Sequence, residues 1–260
     1  AKTKRSLDVK LPSFSRLLKD ISLRNTSVDD WLYDIGMQTS RLVKRLMPNN
    51  NMAVAVLRGD SATENTNQLD NIVSKIPAEW LSEIGLNSSE NTSEHILITL
   101  LNSSHLDWIK FIAYEIGELT NVPVEVINTL ATRITTIDDS ETRWQLALTL
   151  GKLDPEHPLG AVGQRKKIQL AGNRLELFLA LRVGEDDLID VLLQVYHARK
   201  DYLPVGLQAS LLDETEEIFS EAIAKEEERY LSLEFTGAIG QFFSVKFSLG
   251  GNDLIENFVI

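Results

Sequence analysis

The spacing of apolar residues along the chain changes near residue 160. Before that point, apolar positions recur mostly at every third or fourth residue, which is the period of an amphipathic helix. After it they alternate with polar residues, most clearly at Phe243, Val245 and Phe247, which is the period of a half-buried strand. The pattern therefore predicts an α+β protein, with a helical part followed by an antiparallel β-part.

The first 71 residues divide into three predicted segments. Residues 1–26 are polar and weakly patterned. Residues 27–58 are predicted to form a helix that ends at Pro48 and a short strand at 52–58. The apolar positions at helical spacing in that helix are Trp31, Ile35, Leu42 and Leu46. The polar stretch 59–71 is predicted to be a linker.

An internal repeat lies within residues 72–158. The segments 106–119 and 141–153 align when Gly117 is placed on Gly151, an offset of 34 residues. This pattern resembles a pair of HEAT-type repeats, in which small residues let neighbouring helices approach closely. An ordinary pair of helical hairpins is the alternative interpretation.

Residues 159–260 contain strand-length runs that are rich in Val, Ile, Leu and Phe. Turn-forming residues lie between the runs, for example at 184–187 and 250–252. Such runs, at a spacing of roughly ten residues, are typical of an all-β layer structure. We predict an antiparallel β-sandwich of six to eight strands, Ig-like or jelly-roll-like, after the HEAT-like helical repeats.

The composition narrows the possible chemistry. The chain has 260 residues, a formal net charge of −12 and no cysteine, so thiol catalysis and cysteine-ligated metal sites are excluded. Phosphate backbones repel an acidic chain, and we expect no direct binding to nucleic acid. No apolar run is long enough for a transmembrane helix, and none follows the basic N-terminus as in a secretory signal. We therefore expect no membrane insertion and a cytoplasmic location.

Several motifs in residues 160–260 occur together in a recognisable order. They are Tyr202-Leu203-Pro204-x-Gly206-Leu207, Tyr230-Leu231-Ser232-Leu233 and the terminal Glu256-Asn257-Phe258-Val259-Ile260. This succession resembles a cyanobacterial family known as domain of unknown function 1822, and residues 28–58 resemble the opening segment of that family. The helical middle is not part of the resemblance. The family has no established activity, so the resemblance implies no catalytic residues, but it does imply a cyanobacterial origin, a cytoplasmic location and a β-domain that serves interaction.

No pattern in the chain points to catalysis or to a cofactor. The sequence contains neither a G-x-x-x-x-G-K-[ST] phosphate loop nor a G-x-S-x-G nucleophile motif. The four histidines do not have a metal-binding spacing. Adjacent carboxylates at 29–30, 138–139 and 186–187 lie at predicted helix starts or turns, where local hydrogen bonding favours aspartate. We therefore predict a protein that is not an enzyme and that has no cofactor and no metal.

Four side chains are candidates for contact with a partner. Trp108 and Trp144 lie on the two repeat helices, two positions out of register, and core packing is the alternative for both. Trp144 is a candidate anchor if it is exposed beside Arg143, because Trp and Arg are enriched in interface hot spots. Tyr202, in the first family motif, is the fourth candidate. Trp80 is expected only in a helix that caps the repeats.

These observations favour a non-catalytic protein–protein interaction module, which is an adaptor or regulatory subunit of a cyanobacterial complex. Repeat helices and sheet edges are common binding surfaces, so the expected partner is another protein. Three alternatives stay open: an acidic regulator that sequesters a basic transcription or signalling factor, as anti-sigma factors do; a β-sandwich that binds a small ligand such as a sugar; and an enzyme of unfamiliar design. The sugar-binding alternative predicts an exposed aromatic platform on one sheet face.

Overall fold

The computed structural model describes residues 62–86, 90–199 and 202–260. They fall into two compact units that divide between Val162 and Gly163, which we call the helical unit and the β-unit. The predicted N-terminal segment, the helix that begins at Ser27 and the strand at 52–58 lie outside the described residues. The described part combines helices with antiparallel sheets, which confirms the coarse α+β prediction.

The helical unit consists mainly of two helical hairpins preceded by two further helices. The six helices are α1 (Ala62–Ser74), α2 (Ala78–Glu83), α3 (Ser93–Leu101), α4 (Leu106–Gly117), α5 (Val124–Thr136) and α6 (Ser140–Leu153). The first hairpin is α3 and α4, and the second is α5 and α6. Among the described residues, no helix combines the length and the apolar character that crossing a bilayer requires.

Helix α1 occupies most of the stretch that the sequence predicted to be a linker. Its buried apolar residues are Leu69, Ile72 and Val73, and Ile76 follows one turn later. This is the spacing of a helix face that packs against a core. The prediction was wrong because it ended the polar stretch at residue 71, which separated Leu69 from the other members of the same face.

The two repeat helices, α4 and α6, run side by side in the same direction. Thr149 Oγ1 on α6 donates a buried hydrogen bond of 2.9 Å to the carbonyl oxygen of Ala113 on α4. Lys152 Nζ, near the end of α6, lies 2.8 Å from Glu118 Oε1, just after α4. These pairs are separated by 36 and 34 residues, close to the repeat offset, so the offset of 34 relates two helices that pack against each other.

The β-unit is built from two four-stranded sheets. Its strands are β1 (Ala161–Leu170), β2 (Asn173–Val183), β3 (Ile189–His197), β4 (Gln208–Leu212), β5 (Ile218–Ile223), β6 (Tyr230–Gly237), β7 (Phe242–Leu249) and β8 (Asn252–Val259). Sheet one has the order β1-β2-β3-β6, and sheet two has the order β5-β4-β7-β8. The antiparallel arrangement of the strands was predicted, but the strand β1 was not among the predicted runs because its basic cluster interrupts the apolar pattern.

Inward-facing rows of both sheets meet in an aromatic core. The ring of Phe235 on β6 lies 4.9 Å from that of Phe243 on β7, which stacks at 5.1 Å on Phe258 of β8. Two hairpins close with consecutive positive φ values, at Ala171–Gly172 and at Gly250–Gly251. Such turns match the right-handed twist of paired strands. They therefore hold β1 beside β2 and β7 beside β8.

Candidate interaction surface

Four aromatic side chains gather on the helical unit and form what we call the aromatic surface: Trp80, His105, Trp108 and Phe111. The rings of Trp80 and Trp108 stack with centroids 5.0 Å apart, and His105 stacks on Trp108 at 3.8 Å. Phe111 meets Trp80 edge to face at 5.6 Å. Stacked and edge-to-face pairs contribute about 0.5–1.5 kcal/mol each beyond their burial. The rings therefore hold one another in place.

Two short stretches of chain bring these rings together. Helix α2 begins directly after Pro77, whose fixed φ suits the start of a helix. His105 occupies the N-cap position of α4, and Trp108 and Phe111 follow at helical spacing on one side of that helix. Trp108 is only 7% exposed, whereas Trp80 and Phe111 are half-buried. The surface thus has a buried centre and a partly exposed edge.

One turn beyond Phe111, the helix presents an exposed tyrosine. Tyr114 is 59% exposed, which is unusual for so large an aromatic group. Side chains three residues apart are neighbours on a helix, so Tyr114 extends the edge of the aromatic surface. Half-buried and exposed aromatic groups side by side are typical of interface hot spots.

Acidic groups border the aromatic surface. Glu83 Oε1 lies 3.1 Å from His105 Nε2, and Glu79 is exposed next to Trp80 on α2. On the same side, Lys75 is engaged by Glu115, with 2.6 Å between Nζ and Oε2. Among the described residues, Lys75 is therefore already paired with a carboxylate, and His105 lies beside the carboxylate of Glu83.

Two of the sequence-predicted candidates have structural contacts instead of free surfaces. Trp144 is only 4% exposed, so the exposure that would make it an anchor is not found. Arg143 donates from Nη2 to the carbonyl oxygens of Ile137 and Asp138, at 2.7 and 3.1 Å. Its guanidinium thereby holds the connection between α5 and α6. Helical periodicity predicted that both residues lie on a helix, but not which of them faces the core.

The remaining candidates lie in different units. Trp108 is the buried centre of the aromatic surface, and it faces α2, not the partner repeat helix. Tyr202 is 43% exposed in the β-unit, with the guanidinium carbon of Arg229 6.0 Å from its ring centroid. Trp80 and Phe111 were missed as candidates. The pair Trp108 and Phe111 could have been found from its i, i+3 spacing, but no local signal connects Trp80 to α4.

The adjacent carboxylates at 138–139 have a structural task. Asp139 is the N-cap of α6, and its Oδ2 accepts hydrogen bonds from the backbone N–H and the hydroxyl of Thr142, at 2.8 and 2.6 Å. Burial opposes ionisation, but these hydrogen bonds, with Lys110 and Arg143 nearby, hold the pKa of Asp139 below its ordinary value of 3.8. The prediction of a helix start is confirmed. In the described ranges, no group of three or more metal-ligating side chains is found.

The Asp139 cap predicts a pH dependence of the helical unit. Because its folded-state pKa is depressed, the cap stabilises the fold above the ordinary pKa, and this contribution is lost as the pH falls below about 4. We expect Asp139→Ala to cost about 1 kcal/mol at neutral pH, and Asp139→Asn to keep most of the cap but to weaken the acid dependence. Urea unfolding between pH 7 and pH 3 measures both effects. Asp138→Ala is the matched control, and an equal loss there would contradict the cap.

Comparison with known proteins identifies a family for this chain but no activity. The family model described as "Protein of unknown function (DUF1822)" matches residues 43–259. The match is continuous, so it includes the helical middle, which the sequence resemblance had left outside, and it begins after residues 28–42. No curated protein matches the chain.

Proposed function

We propose that this chain, which belongs to the family described as protein of unknown function 1822, is a non-catalytic protein-binding subunit that engages its partner through the aromatic surface. The observation that carries the proposal is the arrangement of Trp80, Trp108 and Phe111 beside the exposed Tyr114. Aromatic anchors that are held rigid before binding lose little side-chain entropy when a partner covers them. An adaptor or regulatory subunit is the role that such a surface serves.

The charge of the helical unit supports a partner with a basic segment. Residues 62–162 contain 15 Asp or Glu and 5 Lys or Arg, a formal charge of −10. Opposite charge increases the rate of encounter and suppresses binding to acidic competitors. We therefore propose that the partner presents an apolar anchor flanked by Lys or Arg. A basic transcription or signalling factor, sequestered by this acidic unit, is the narrower form of the same proposal.

A sugar-binding role has less support. It predicts an exposed aromatic platform on an outer sheet face, but the aromatic groups on the outward side of β2, β3 and β6 are half-buried, and the large exposed apolar groups on the described strands are isoleucines, Ile218, Ile223 and Ile255. Tyr202 is exposed, but it lies between β3 and β4 and not on a sheet face. We therefore do not carry this alternative further.

The finer architecture remains part of the proposal. Parallel packing of α4 and α6 at the repeat offset supports HEAT-like repeats, and the aromatic contacts between the two sheets support a β-sandwich. The sequence resemblance supports a cyanobacterial origin, and it supports the cytoplasm as the place where the partner is met. Under this proposal the helical repeats carry the binding surface.

The test compares two exposed tyrosines in the 260-residue chain. Tyr114→Ala removes the exposed edge of the aromatic surface, whereas Tyr202→Ala removes a tyrosine of similar exposure from the β-unit. The partner is first identified by co-purification at low salt. We expect Tyr114→Ala to weaken the binding affinity for that partner by at least about tenfold, because aromatic hot spots contribute about 2 kcal/mol or more. Calorimetry or surface plasmon resonance with that purified partner measures the effect.

The controls distinguish where on the chain the partner binds from whether the chain binds a partner. We expect Tyr202→Ala to bind like the unaltered chain, and we expect added salt to weaken the complex. A loss of binding in Tyr202→Ala alone would place the partner on the β-unit and overturn the aromatic surface. Failure to recover any reproducible partner from the native lysate would overturn the binding function itself.

A further inference from the structure

One sheet of the β-unit is buried on its inner face and at the centre of its outer face. In strand β3, Val191 and Leu193 face the core between the sheets, and the intervening residues point to the opposite side, which we call the outer face of sheet one. On that outer face, Leu192 is only 3% exposed and Asp190 only 5%. Ala180, which pairs with Leu192 across the sheet, is fully buried. Burial on both sides is typical of a central layer, not of a sheet whose outer face contacts water.

The outer face also carries aromatic groups. The rings of Tyr196 and Tyr230, which are paired across β3 and β6, lie 5.5 Å apart, and both side chains are half-buried. Phe178 on β2 is half-buried as well. Together with Leu192 and Ala180, these rings form an apolar patch over three strands, with the polar Gln194 and Ser232 between them.

Sheet two shows what an uncovered face of this unit looks like. On β7 and β8 its outward positions are polar or exposed, such as Lys246 and Asp253, which form an ion pair of 2.8 Å, whereas Ser210 on β4 is buried. Ile255, which pairs with Lys246 across the two strands, is 54% exposed. Because the core between the sheets occupies the inner rows, the described strands of the β-unit supply no layer over the outer face of sheet one. A further segment is needed to cover it.

We infer that the outer face of sheet one is the docking site of residues 27–47 of the same chain. Trp31, Ile35, Leu42 and Leu46 are spaced by four, seven and four residues, so in a helix they lie within about 60° of one another. The stripe that they form is about 22 Å long at 1.5 Å per residue. The axes of three adjacent strands at a spacing of about 4.8 Å span about 10 Å. The apolar stripe is therefore long enough to cross the patch.

Charge and family continuity support the same occupant. Arg165 lies beside the patch, with its guanidinium carbon 5.9 Å from the ring centroid of Phe178 and its Nη1 3.5 Å from Glu176 Oε2, and Lys167 is exposed two residues further along β1. The segment carries three aspartates at its beginning, Asp29, Asp30 and Asp34, which can face these cations, and three basic residues, Arg41, Lys44 and Arg45, at its end. The family match runs without a break from residue 43 to residue 259, so the end of the segment and the sheets belong to one family unit. This inference concerns the β-unit and does not depend on the aromatic surface.

The absence of cysteine from the sequence makes the docking directly testable. The test uses the full chain with Gln38→Cys and Gln194→Cys, which place one thiol near the stripe and one on the outer face of sheet one. The matched control is Gln38→Cys with Ser248→Cys, on the outer face of sheet two. After treatment with a short bismaleimide, we expect severalfold more intrachain product for the first pair, because docking raises the effective concentration of its thiols. Mass spectrometry of the linked peptides measures the yield.

The possible outcomes are distinct. Intrachain linkage that favours the first pair and does not change on dilution supports the inference. Equal linkage of the two pairs overturns it, and so does linkage found only between two chains, which would make the outer face a contact between copies. If neither pair gives a cross-linked product, the outer face of sheet one is the contact site of another protein. This result overturns the inference as well.

A second measurement does not depend on cross-linking. Replacing both Trp31 and Leu42 with alanine removes the apolar stripe without altering the described units. We expect hydrogen exchange in peptides from β3 to become faster, while exchange in peptides from β8 stays the same. Unchanged exchange in β3 would contradict the docking, and faster exchange in all strands would indicate general unfolding and would also contradict it.

Discussion

Gly151→Ala is expected to lower the free energy of unfolding of the helical unit by about 2 kcal/mol, although alanine normally favours a helix. A Cβ atom at Gly151 would lie 2.1 Å from the carbonyl oxygen of Ala161 and 2.9 Å from its carbonyl carbon. Both are backbone atoms, so no change of side-chain rotamer can relieve the clash. The backbone around Gly151 and the backbone around Ala161 would have to move apart, although both belong to the same compact unit.

The internal repeat supplies the matched control for this prediction. Gly117 occupies the equivalent position in α4, but a Cβ atom there would meet the side chain of Thr149 at 3.5 Å, an ordinary contact distance. We therefore expect Gly117→Ala to be neutral, or to stabilise the unit by up to about 1 kcal/mol through helix propensity. Although the repeat aligns the two positions, Gly151→Ala should lower the free energy of unfolding, and Gly117→Ala should leave it unchanged or raise it.

Tryptophan fluorescence during denaturant unfolding can measure the difference. Three of the four tryptophans, Trp80, Trp108 and Trp144, lie in the helical unit, and residues 163–260 contain none. The signal therefore reports mainly on the unit in which both glycines lie. A Gly151→Ala variant as stable as Gly117→Ala would show that the close approach of Gly151 to Ala161 does not exist in solution.

Asp190→Ala is expected to destabilise the β-unit by about 3–5 kcal/mol. Asp190 Oδ2 accepts from Arg182 Nη2 at 2.8 Å and from Nε at 3.2 Å, and its Oδ1 accepts from the Thr236 hydroxyl at 2.7 Å. The side chain of Asp190 is 7% exposed and that of Arg182 is 14% exposed. Removal of the carboxylate takes this acceptor away from a guanidinium that is largely shielded from water.

Two controls identify the cause of the Asp190 effect. The double variant Arg182→Leu with Asp190→Leu removes both charges together, and we expect it to be much more stable than Asp190→Ala. Asp253→Ala breaks the exposed pair with Lys246 and should change stability by less than about 1 kcal/mol. Far-UV circular dichroism and hydrogen exchange of β2 and β3 peptides measure the losses. Equal losses for Asp190→Ala and Asp253→Ala would contradict a role for burial.

The aromatic surface shows how far the sequence predicts the candidate site. Trp108 was a candidate because of its size and its place on a repeat helix, and it is the centre of the surface. Trp144 was a candidate on the same grounds and is buried in the core. Helical spacing defines the angle between two side chains on one helix, but not which neighbour the helix faces. That information depends on residues distant in sequence, such as Trp80.

Most elements of the fold follow from short-range patterns. The change of apolar period near residue 160 lies between the end of α6 and the start of the sheets, and the Gly250–Gly251 turn lies between two strands as predicted. The errors at α1 and β1 have a common cause. In both places polar or charged residues interrupt the apolar pattern, and contacts with distant elements stabilise the structure in spite of it.

By itself, the sequence determined the type of each periodic segment, the positions of the tight turns and the 34-residue offset between α4 and α6. These depend on φ/ψ preferences and on side-chain spacing within a few residues, which any reader of the chain can inspect. Only the tertiary structure decided the strand order, the stacking of His105 and Trp108, the burial of Asp190 and the difference between Gly117 and Gly151. Each of these depends on a contact between residues far apart in the chain, and the local pattern of residues does not show which distant residues come into contact.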